Sequence, residues 1–600
     1  MKNDLQISAI CPRVCLADTD GNAKNIIKLV KQAVKKGAQI IITPELAVTG
    51  ATCGDLFFKP LLIDNSLKAL NKILKEIKKL DAALIVGLPL RINQQIINAS
   101  ALLYRGKILG IVPKKHLNSD ELRYFVQANQ IKENKIVLFN QKVPLGTNLL
   151  FNIFNTTLKI KIGLDLDKNP PLSIPKGIDV ICNLASNCEY LGKQAKLKNL
   201  AAEYSARHDC TYVYASSGFG ESSAEEVYSA NALIYNKGTL LKETPRLTMQ
   251  EQTIICGINQ NILKTKPAKF SNICDVKHPF NPINKQELFE VLDLQSLALA
   301  RRLEQTKINK VILGISGGLD STLTLIAAVH TFKKLNLPLK NIFAYTLPGL
   351  GTTARTKNNA LLLCKELGVS FEEIDIKQAV LQHFKDIKHN KNIVDITYEN
   401  TQARERTQIL FDLSNKLGAL VLGTGDMSEL ALGWATYGGD HLSMYGLNAG
   451  IPKTLIKEIV TEYAKNAPSK ISEILKDILE TPISPELKPA GKGKIIQKTE
   501  DLVGPYILHD FFLYHFLVNN SGPREIYKLA LSVFKADFTK AEIKHWLEIF
   551  FRRFFSQQFK RSCSPEGPKV LQLSLSPRAG LRLTSDISPS IWLGEIKALK

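Results

Sequence analysis

Six hundred residues exceed what one hydrophobic core usually supports, so the chain is expected to divide into two large domains. A hydrophobic content of 45% with 22% charged residues is ordinary for a soluble globular protein, and no apolar run reaches the roughly 18 residues of a membrane span. The formal charge of +22 is scattered over short clusters such as Lys35-Lys36, Lys114-Lys115 and Arg552-Arg553, which favours lysine-rich solvated faces over a nucleic-acid surface.

The opening residues Met1 to Ile10 carry Asp4 and Gln6 where a signal peptide would carry apolar side chains, and read as a first strand. Ten cysteines lie without any CxxC pair, which suits reduced thiols in a cytoplasmic setting and argues against a structural zinc site. Asn22 to Lys36 places Ile26, Leu29, Val30, Ala33 and Val34 on one helical face, with Gly37 able to close it. Gln39 to Thr43 is then a buried strand ending at Glu45, and α/β proteins assemble sites at such carboxyl ends. Further strands are expected at 82–87, 99–103, 107–112, 159–166, 179–184 and 212–215, with a helix near 194–207. The first 262 residues are therefore expected to form a layered α/β domain of alternating strands and helices.

Three pieces, Pro44 to Gly50, Gly110 to Lys114 and Gly218 to Ser223, together resemble the nitrilase (carbon-nitrogen hydrolase) superfamily, in the form that releases ammonia from glutamine for a fused synthetase. The resemblance implies an αββα fold and a Glu-Lys-Cys triad of base, oxyanion stabiliser and nucleophile. Glu45 and Lys114 match, but Asp167 occupies the nucleophile position. An aspartate attacking an amide would form a mixed anhydride, far less favourable than a thioester. Other positions of the glutamine pocket depart as well, with Asp120, Asn187 and Lys193 replacing the family's residues, and the Glu-Phe-Tyr-Glu box is not recognisable in Glu121 to Phe125. Cys182 falls inside the next strand and Cys188 just beyond it, so neither stands where the triad needs a thiol. A pseudo-glutaminase is expected, with Glu45 and Lys114 as a buried ion-paired remnant.

A polar segment with Pro267, Pro279 and Pro282 marks a boundary, so a linker is expected over 263–285 and a second domain over 286–600. Gln286 to Glu304 reads as an amphipathic helix. Val311 to Ile315 is a short β-branched run that leads into Ser316-Gly317-Gly318-Leu319-Asp320-Ser321 and then a helical pattern through Leu323, Leu325 and Ala328. Strand, glycine turn and helix aim backbone N–H groups and the positive helix end at one point, as a polyphosphate requires. Asp320 inside such a turn is explained by a hard cation bridging it to the nucleotide. Lysine is missing from the turn, so it is not the Walker sequence. The loop resembles that of the N-type ATP pyrophosphatases, which adenylate a carboxyl or carbonyl group. Strands at 341–347, 368–376 and 418–422 continue the alternation of a doubly wound parallel sheet. The last of them ends in a second polar turn, Gly423 to Glu429.

Long runs then coincide: Thr397 to Arg406, Gly423 to Glu429, Ala431 to Tyr437, Ile483 to Leu487, Thr499 to Tyr506 and Gln557 to Arg561. With the loop they resemble the glutamine-dependent NAD+ synthetase family across essentially the whole chain. That resemblance implies an ATP-dependent ligase that amidates deamido-NAD+ through an adenylated intermediate, with Mg2+ as cofactor, ATP as co-substrate and a homo-oligomeric assembly. By the family's pattern Gly314, Ile315, Ser316, Gly317, Gly318, Leu319, Asp320, Ser321 and Thr424 bind ATP. Asn400, Glu429, Trp434, Ala435, Thr436, Tyr437 and Lys560 face deamido-NAD+, and Asp320 and Glu429 hold the metal. Taken singly, Trp434 and Tyr437 could be core aromatics, Arg404 and Arg406 solvated charges and Lys560 a surface residue. With Asp167 at the nucleophile position, free ammonia is the expected nitrogen donor. The alternatives are a glutamine-hydrolysing synthetase, another amide-forming ATP pyrophosphatase, and a non-catalytic scaffold.

Overall fold

The computed structural model describes residues 4–163, 177–258, 275–352, 354–481 and 499–599. Asp167, the 483–487 run, Pro267 and the first half of the 263–285 segment lie outside them. Two compact units are formed: one comprises Met1–Glu189, Lys193–Ser222 and Val227–Ser271, the other Tyr190–Gly192, Ser223–Glu226 and Asn272–Lys600.

In the first unit, strands β1 (Leu5–Cys11), β2 (Ile40–Ile42), β3 (Ala83–Ile92), β4 (Gln95–Tyr104) and β5 (Lys107–Pro113) belong to one six-stranded sheet. The hairpin β6 (Lys135–Leu138) and β7 (Gln141–Pro144) follows. A second six-stranded sheet holds β8 (Leu150–Ile153), β9 (Thr156–Ile162), β10 (Val180–Ala185), β11 (Thr211–Ser216), β12 (Ala232–Asn236) and β13 (Thr239–Glu243), and β14 (Gln252–Ile258) returns to the first. The orders are β14-β1-β2-β3-β4-β5 and β13-β12-β11-β10-β9-β8. Strand periodicity makes the layers. Ile7, Ala9 and Cys11 point between the sheets with Ile40, Ile42, Cys182, Leu184 and Val213, whereas Ile10 and Ile41 point outward to helices α1 (Thr19–Lys35) and α2 (Pro60–Ile77). Helix α3 (Lys193–Arg207) covers the far face of the second sheet through Leu197, Ala201 and Tyr204. The result is an αββα sandwich.

Strict alternation of strands and helices does not hold here. β3, β4 and β5 run antiparallel with tight turns between them, and β14 pairs antiparallel with β1, Leu5 facing Ile258. Such antiparallel neighbours need no helical crossover.

The second unit opens with α4 (Leu288–Thr306), whose Leu288, Val291, Leu292, Leu297 and Ala300 are buried. Strands β15 (Val311–Gly314), β16 (Ile342–Thr346), β17 (Ser370–Glu373), β18 (Leu420–Gly423) and β19 (Tyr445–Gly446) form one all-parallel sheet in the order β17-β16-β15-β18-β19. Helices α5 (Leu319–Lys334), α6 (Ala354–Leu367), α7 (Lys377–Asp386), α8 (Ile396–Leu417), α9 (Met427–Leu432) and α10 (Lys453–Asn466) fill the crossovers and the turn after β19. Strand order reverses between β15 and β18, which is the switch point where doubly wound sheets open a crevice. An aromatic cluster, with Phe511 and Phe512 from the helix Tyr506–Leu517 and Phe550, Phe551, Phe554 and Phe555 from Lys540–Ser556, closes the unit's other core. Among the described residues no helix is long and apolar enough to cross a membrane.

Candidate functional site

In the first unit the turn after β2 carries Glu45 and the end of β5 delivers Lys114. Lys114 Nζ lies 2.6 Å from Glu45 Oε1 and 2.5 Å from Glu121 Oε1. Asn98 Nδ2 donates to Glu45 Oε1 at 2.5 Å, and Lys114 N donates to Asn98 O at 2.8 Å. The stem of Lys114 runs over Gly163, where φ is +84° and favours glycine, and a Cβ would stand 2.5 Å from Lys114 Cε and push the end of that side chain aside. Burial pushes Glu45 up to about 7 against the pull of Lys114, with Glu121 competing for the same ammonium. Burial alone would lower Lys114, yet the two carboxylates hold it above its ordinary value.

Glu121 is a residue that the sequence did not single out: a 3-10 turn, Glu121–Arg123, swings its carboxylate back onto Lys114. Cys182 sits mid-strand in β10, fully buried between the sheets, with its thiol pushed far up by burial. Asn187 Nδ2 donates to Tyr214 Oη at 2.8 Å, and Lys193 Nζ donates to the carbonyl of Cys188.

In the second unit, β15 ends in the glycine turn and α5 begins with Gly318 as its N-cap. Gly317 has φ +82°, and a Cβ there would stand 2.0 Å from Thr356 O, so both backbone strain and contact require glycine. Gly318 N donates to Ser316 Oγ at 3.1 Å, and Ser321 Oγ and Thr322 Oγ1 donate to Gly318 O at 3.1 and 2.8 Å. These bonds hold the turn open at the positive end of a 16-residue helix.

A cavity of about 1250 Å³ opens over the carboxyl ends of β15 and β18. Every residue expected to bind a substrate lines it except Gly317, whose role is to shape the turn. Thr436 Oγ1 donates to Asn400 Oδ1 at 2.8 Å, and Tyr437 is half exposed. Lys560 Nζ is committed to the carbonyls of Gly433 and Ala435 at 2.8 and 2.7 Å, so it orders the 433–437 segment as well as lining the cavity. Arg553 lies over the Trp434 ring at 5.3 Å. Arg404 and Arg406 are not merely solvated: they donate to the carbonyls of Tyr437 and Leu347.

Three further residues escaped the sequence. Asp426, fully buried, caps α9 by accepting from Glu429 N at 2.9 Å. Asn448 Nδ2 donates to Asp320 O at 2.9 Å and Thr424 O at 3.3 Å, tying the turns of β15 and β18 together. Lys453 places Nζ 2.6 Å from Asp320 Oδ2, 2.6 Å from Asp426 Oδ2 and 2.9 Å from Glu429 Oε1. The counter-charge on Asp320 is thus this ammonium. Burial raises Glu429 to about 7 and Asp426 well above its ordinary value, with Lys453 opposing both. One oxygen of each of Asp320, Asp426 and Glu429 lies within 4.8 Å of the others, and Asp320 Oδ1 is buried without a hydrogen-bond partner. A set of carboxylate oxygens beside a phosphate-type turn fits a hard divalent ion.

Residues 291–537 match the NAD synthase family and residues 6–265 the carbon-nitrogen hydrolase family. A synthetase sheet with this turn, on one chain with an αββα hydrolase fold, defines an ATP-dependent amide-forming ligase. The glutamine-dependent NAD(+) synthetase of Mycobacterium tuberculosis (strain ATCC 25618 / H37Rv) is 33% identical over 664 residues, covering 99% of this chain and 97% of that protein. The corresponding synthetase of Thermotoga maritima is 26% identical over 85% of this chain and 88% of its own. The chain belongs to the glutamine-dependent NAD(+) synthetase family. A crystal structure of such a synthetase from Cytophaga hutchinsonii shares the fold, with a TM-score of 0.82 at 21% identity over 99% of this chain and 100% of that one.

Proposed function

We propose that the protein makes NAD+ from deamido-NAD+, ATP and free ammonia, and that its hydrolase half (1–262) no longer releases ammonia from glutamine. A linker at 263–285 then leads to a synthetase half at 286–600. The nicotinate carboxylate attacks the α-phosphorus of ATP, the bond to the β-phosphate oxygen breaks, and pyrophosphate leaves. Ammonia adds to the activated carbonyl carbon, loses a proton, and expels AMP as the amide forms. The observation that carries the synthetase reading is the open Ser316–Ser321 turn beside three converging carboxylates in one cavity.

In this reading the turn's amides and the hydroxyls of Ser316 and Ser321 bind the leaving pyrophosphate, and Thr424 contacts ATP. Asn400, Thr436 and the segment Trp434 to Tyr437, ordered by Lys560, hold deamido-NAD+ so that carboxylate and phosphorus meet in line. Asp320, Asp426 and Glu429 would hold Mg2+, which when bound neutralises phosphate charge. No side-chain nucleophile is needed in this half. The protein would act in the cytoplasm as a homo-oligomer, as the family resemblance suggests.

Ammonia is favoured as donor by Asp167 at the nucleophile position. Persistent glutamine use is the second reading, favoured by one observation: Glu45 and Glu121 both contact Lys114. Purified protein given deamido-NAD+, ATP, Mg2+ and ammonium is expected to produce NAD+, AMP and pyrophosphate in equal amounts. Failure to release pyrophosphate under these conditions would contradict the proposal.

A further inference from the structure

Lys453 stands where a metal ion on the three carboxylates would stand. Its nitrogen contacts one oxygen of each of Asp320, Asp426 and Glu429 at 2.6 to 2.9 Å. An ion bound to the same oxygens at about 2.0–2.1 Å would fall inside the radius of the ammonium and meet it charge against charge. On those three oxygens the ammonium and a metal ion exclude each other.

The backbone of Lys453 cannot retreat to make room. Lys453 N donates to Ser428 Oγ at 2.8 Å, Ser428 Oγ bonds Asp510 Oδ1, and Asp510 Oδ2 accepts from Thr454 N at 3.0 Å. The start of α10 is therefore fixed to α9 and to the helix Tyr506–Leu517, and only the flexible stem of Lys453 can move. Buried as it is, the ammonium cannot leave the carboxylates for an apolar wall. Lys453 lines the same cavity as the Ser316–Ser321 turn, so an anion seated on that turn offers the ammonium a second partner. Asp320 belongs to the turn that faces the cavity, so an anion seated on that turn is close to the ammonium already.

We infer that Lys453 keeps the divalent-metal site closed until a polyphosphate binds, so that metal and nucleotide load together. The inference rests on the reading of Asp320, Asp426 and Glu429 as the metal ligands. Triphosphate supplies the negative charge that draws Lys453 away, the metal takes the vacated oxygens, and neither ligand alone gains both contacts. Because binding coupling is reciprocal, the nucleotide strengthens metal binding by the same factor that the metal strengthens nucleotide binding, a factor of roughly 10 to 100. The arrangement would also exclude metal from an empty site, where a bare ion held by three carboxylates has no substrate to act on.

The test is Mn2+ binding to the full chain, followed by loss of the free-ion paramagnetic resonance signal and by water-proton relaxation, with and without α,β-methylene-ATP. Wild-type protein without nucleotide is expected to take up Mn2+ at least about tenfold more weakly than Lys453→Met protein, whose gained site disappears in Lys453→Met/Asp426→Asn. Equal Mn2+ affinity in nucleotide-free wild type and Lys453→Met would overturn the inference. Should Lys453→Met fail to fold, wild type decides alone. Strong relaxation enhancement only with the analogue, lost in Asp320→Asn, supports it, and the same Mn2+ affinity with and without the analogue overturns it. If Mn2+ never reaches the protein even with the analogue, the metal-ligand reading itself falls, and the inference with it.

Discussion

Lys114 Nζ lies 2.6 Å from Glu45 Oε1, with Lys114 at 7% and Glu45 at 2% of full exposure. A single ammonium here serves two carboxylates. Removing it in Lys114→Met leaves Glu45 and Glu121 without their cation, and the loss of one partner of a buried pair costs about 3–5 kcal/mol. Chemical denaturation of the two proteins measures this, and a variant as stable as wild type would show the contact to be dispensable.

The same site has a pH dependence of definite sign. Glu45 has its native value raised to about 7 by burial, so between its ordinary value and 7 the native state binds the proton that the unfolded state releases. Its contribution to stability is present below about pH 4.5 and is lost as pH rises to 7. Glu45→Gln is expected to remove that slope from the denaturation midpoint; an unchanged slope would assign it elsewhere.

His509 predicts the opposite trend for the second unit. Buried against Trp546 and Phe550, with Nε2 on Val503 O at 2.6 Å, it is held down to about 4 by burial. Stability from the neutral ring is present above about pH 6.5 and is lost as pH falls toward 4, by roughly 3 kcal/mol. Acid titration of the unfolding free energy in wild type and His509→Gln checks this, and parallel curves would contradict it.

Gly317→Ala is expected to weaken ATP binding more than tenfold while leaving the unit folded, because the added Cβ would meet Thr356 O at 2.0 Å and the turn must open. Calorimetry of ATP binding, beside circular dichroism, measures both. Wild-type affinity in this variant would mean that the turn is not the phosphate site.

Asp167→Cys alone is expected to leave glutamine hydrolysis absent. Asn187 donates to Tyr214 and Lys193 to the carbonyl of Cys188, so both side chains are already engaged, and the family resemblance implies a further difference at Asp120; an introduced thiol is therefore expected to face an altered pocket. Glutamate release from glutamine reports the outcome, and recovery by this single substitution would refute the pocket reading.

Local signals were legible in the sequence and distant ones were not. The strand Val311–Gly314, the glycine turn and the helix from Leu319 are encoded within about 25 contiguous residues, and each follows from β-branching, φ freedom and helical spacing. Lys453 meets Asp320 across 133 residues, and Asn448 meets Thr424 only because β18 and β19 bring their ends together. Nothing around Pro452-Lys453 announces more than the start of a helix. β14 is an apolar run whose partner β1 lies some 246 residues away, so its register was invisible without the fold. Glu121 was hidden for another reason: its position in the chain does not announce the 3-10 turn that brings its carboxylate onto Lys114.

The nitrogen source tests the account most directly. Protein given deamido-NAD+, ATP, Mg2+, glutamine labelled with 15N in its amide, and unlabelled ammonium should yield NAD+ whose carboxamide carries only natural-abundance 15N by mass spectrometry. Enriched NAD+ formed together with glutamate would contradict it.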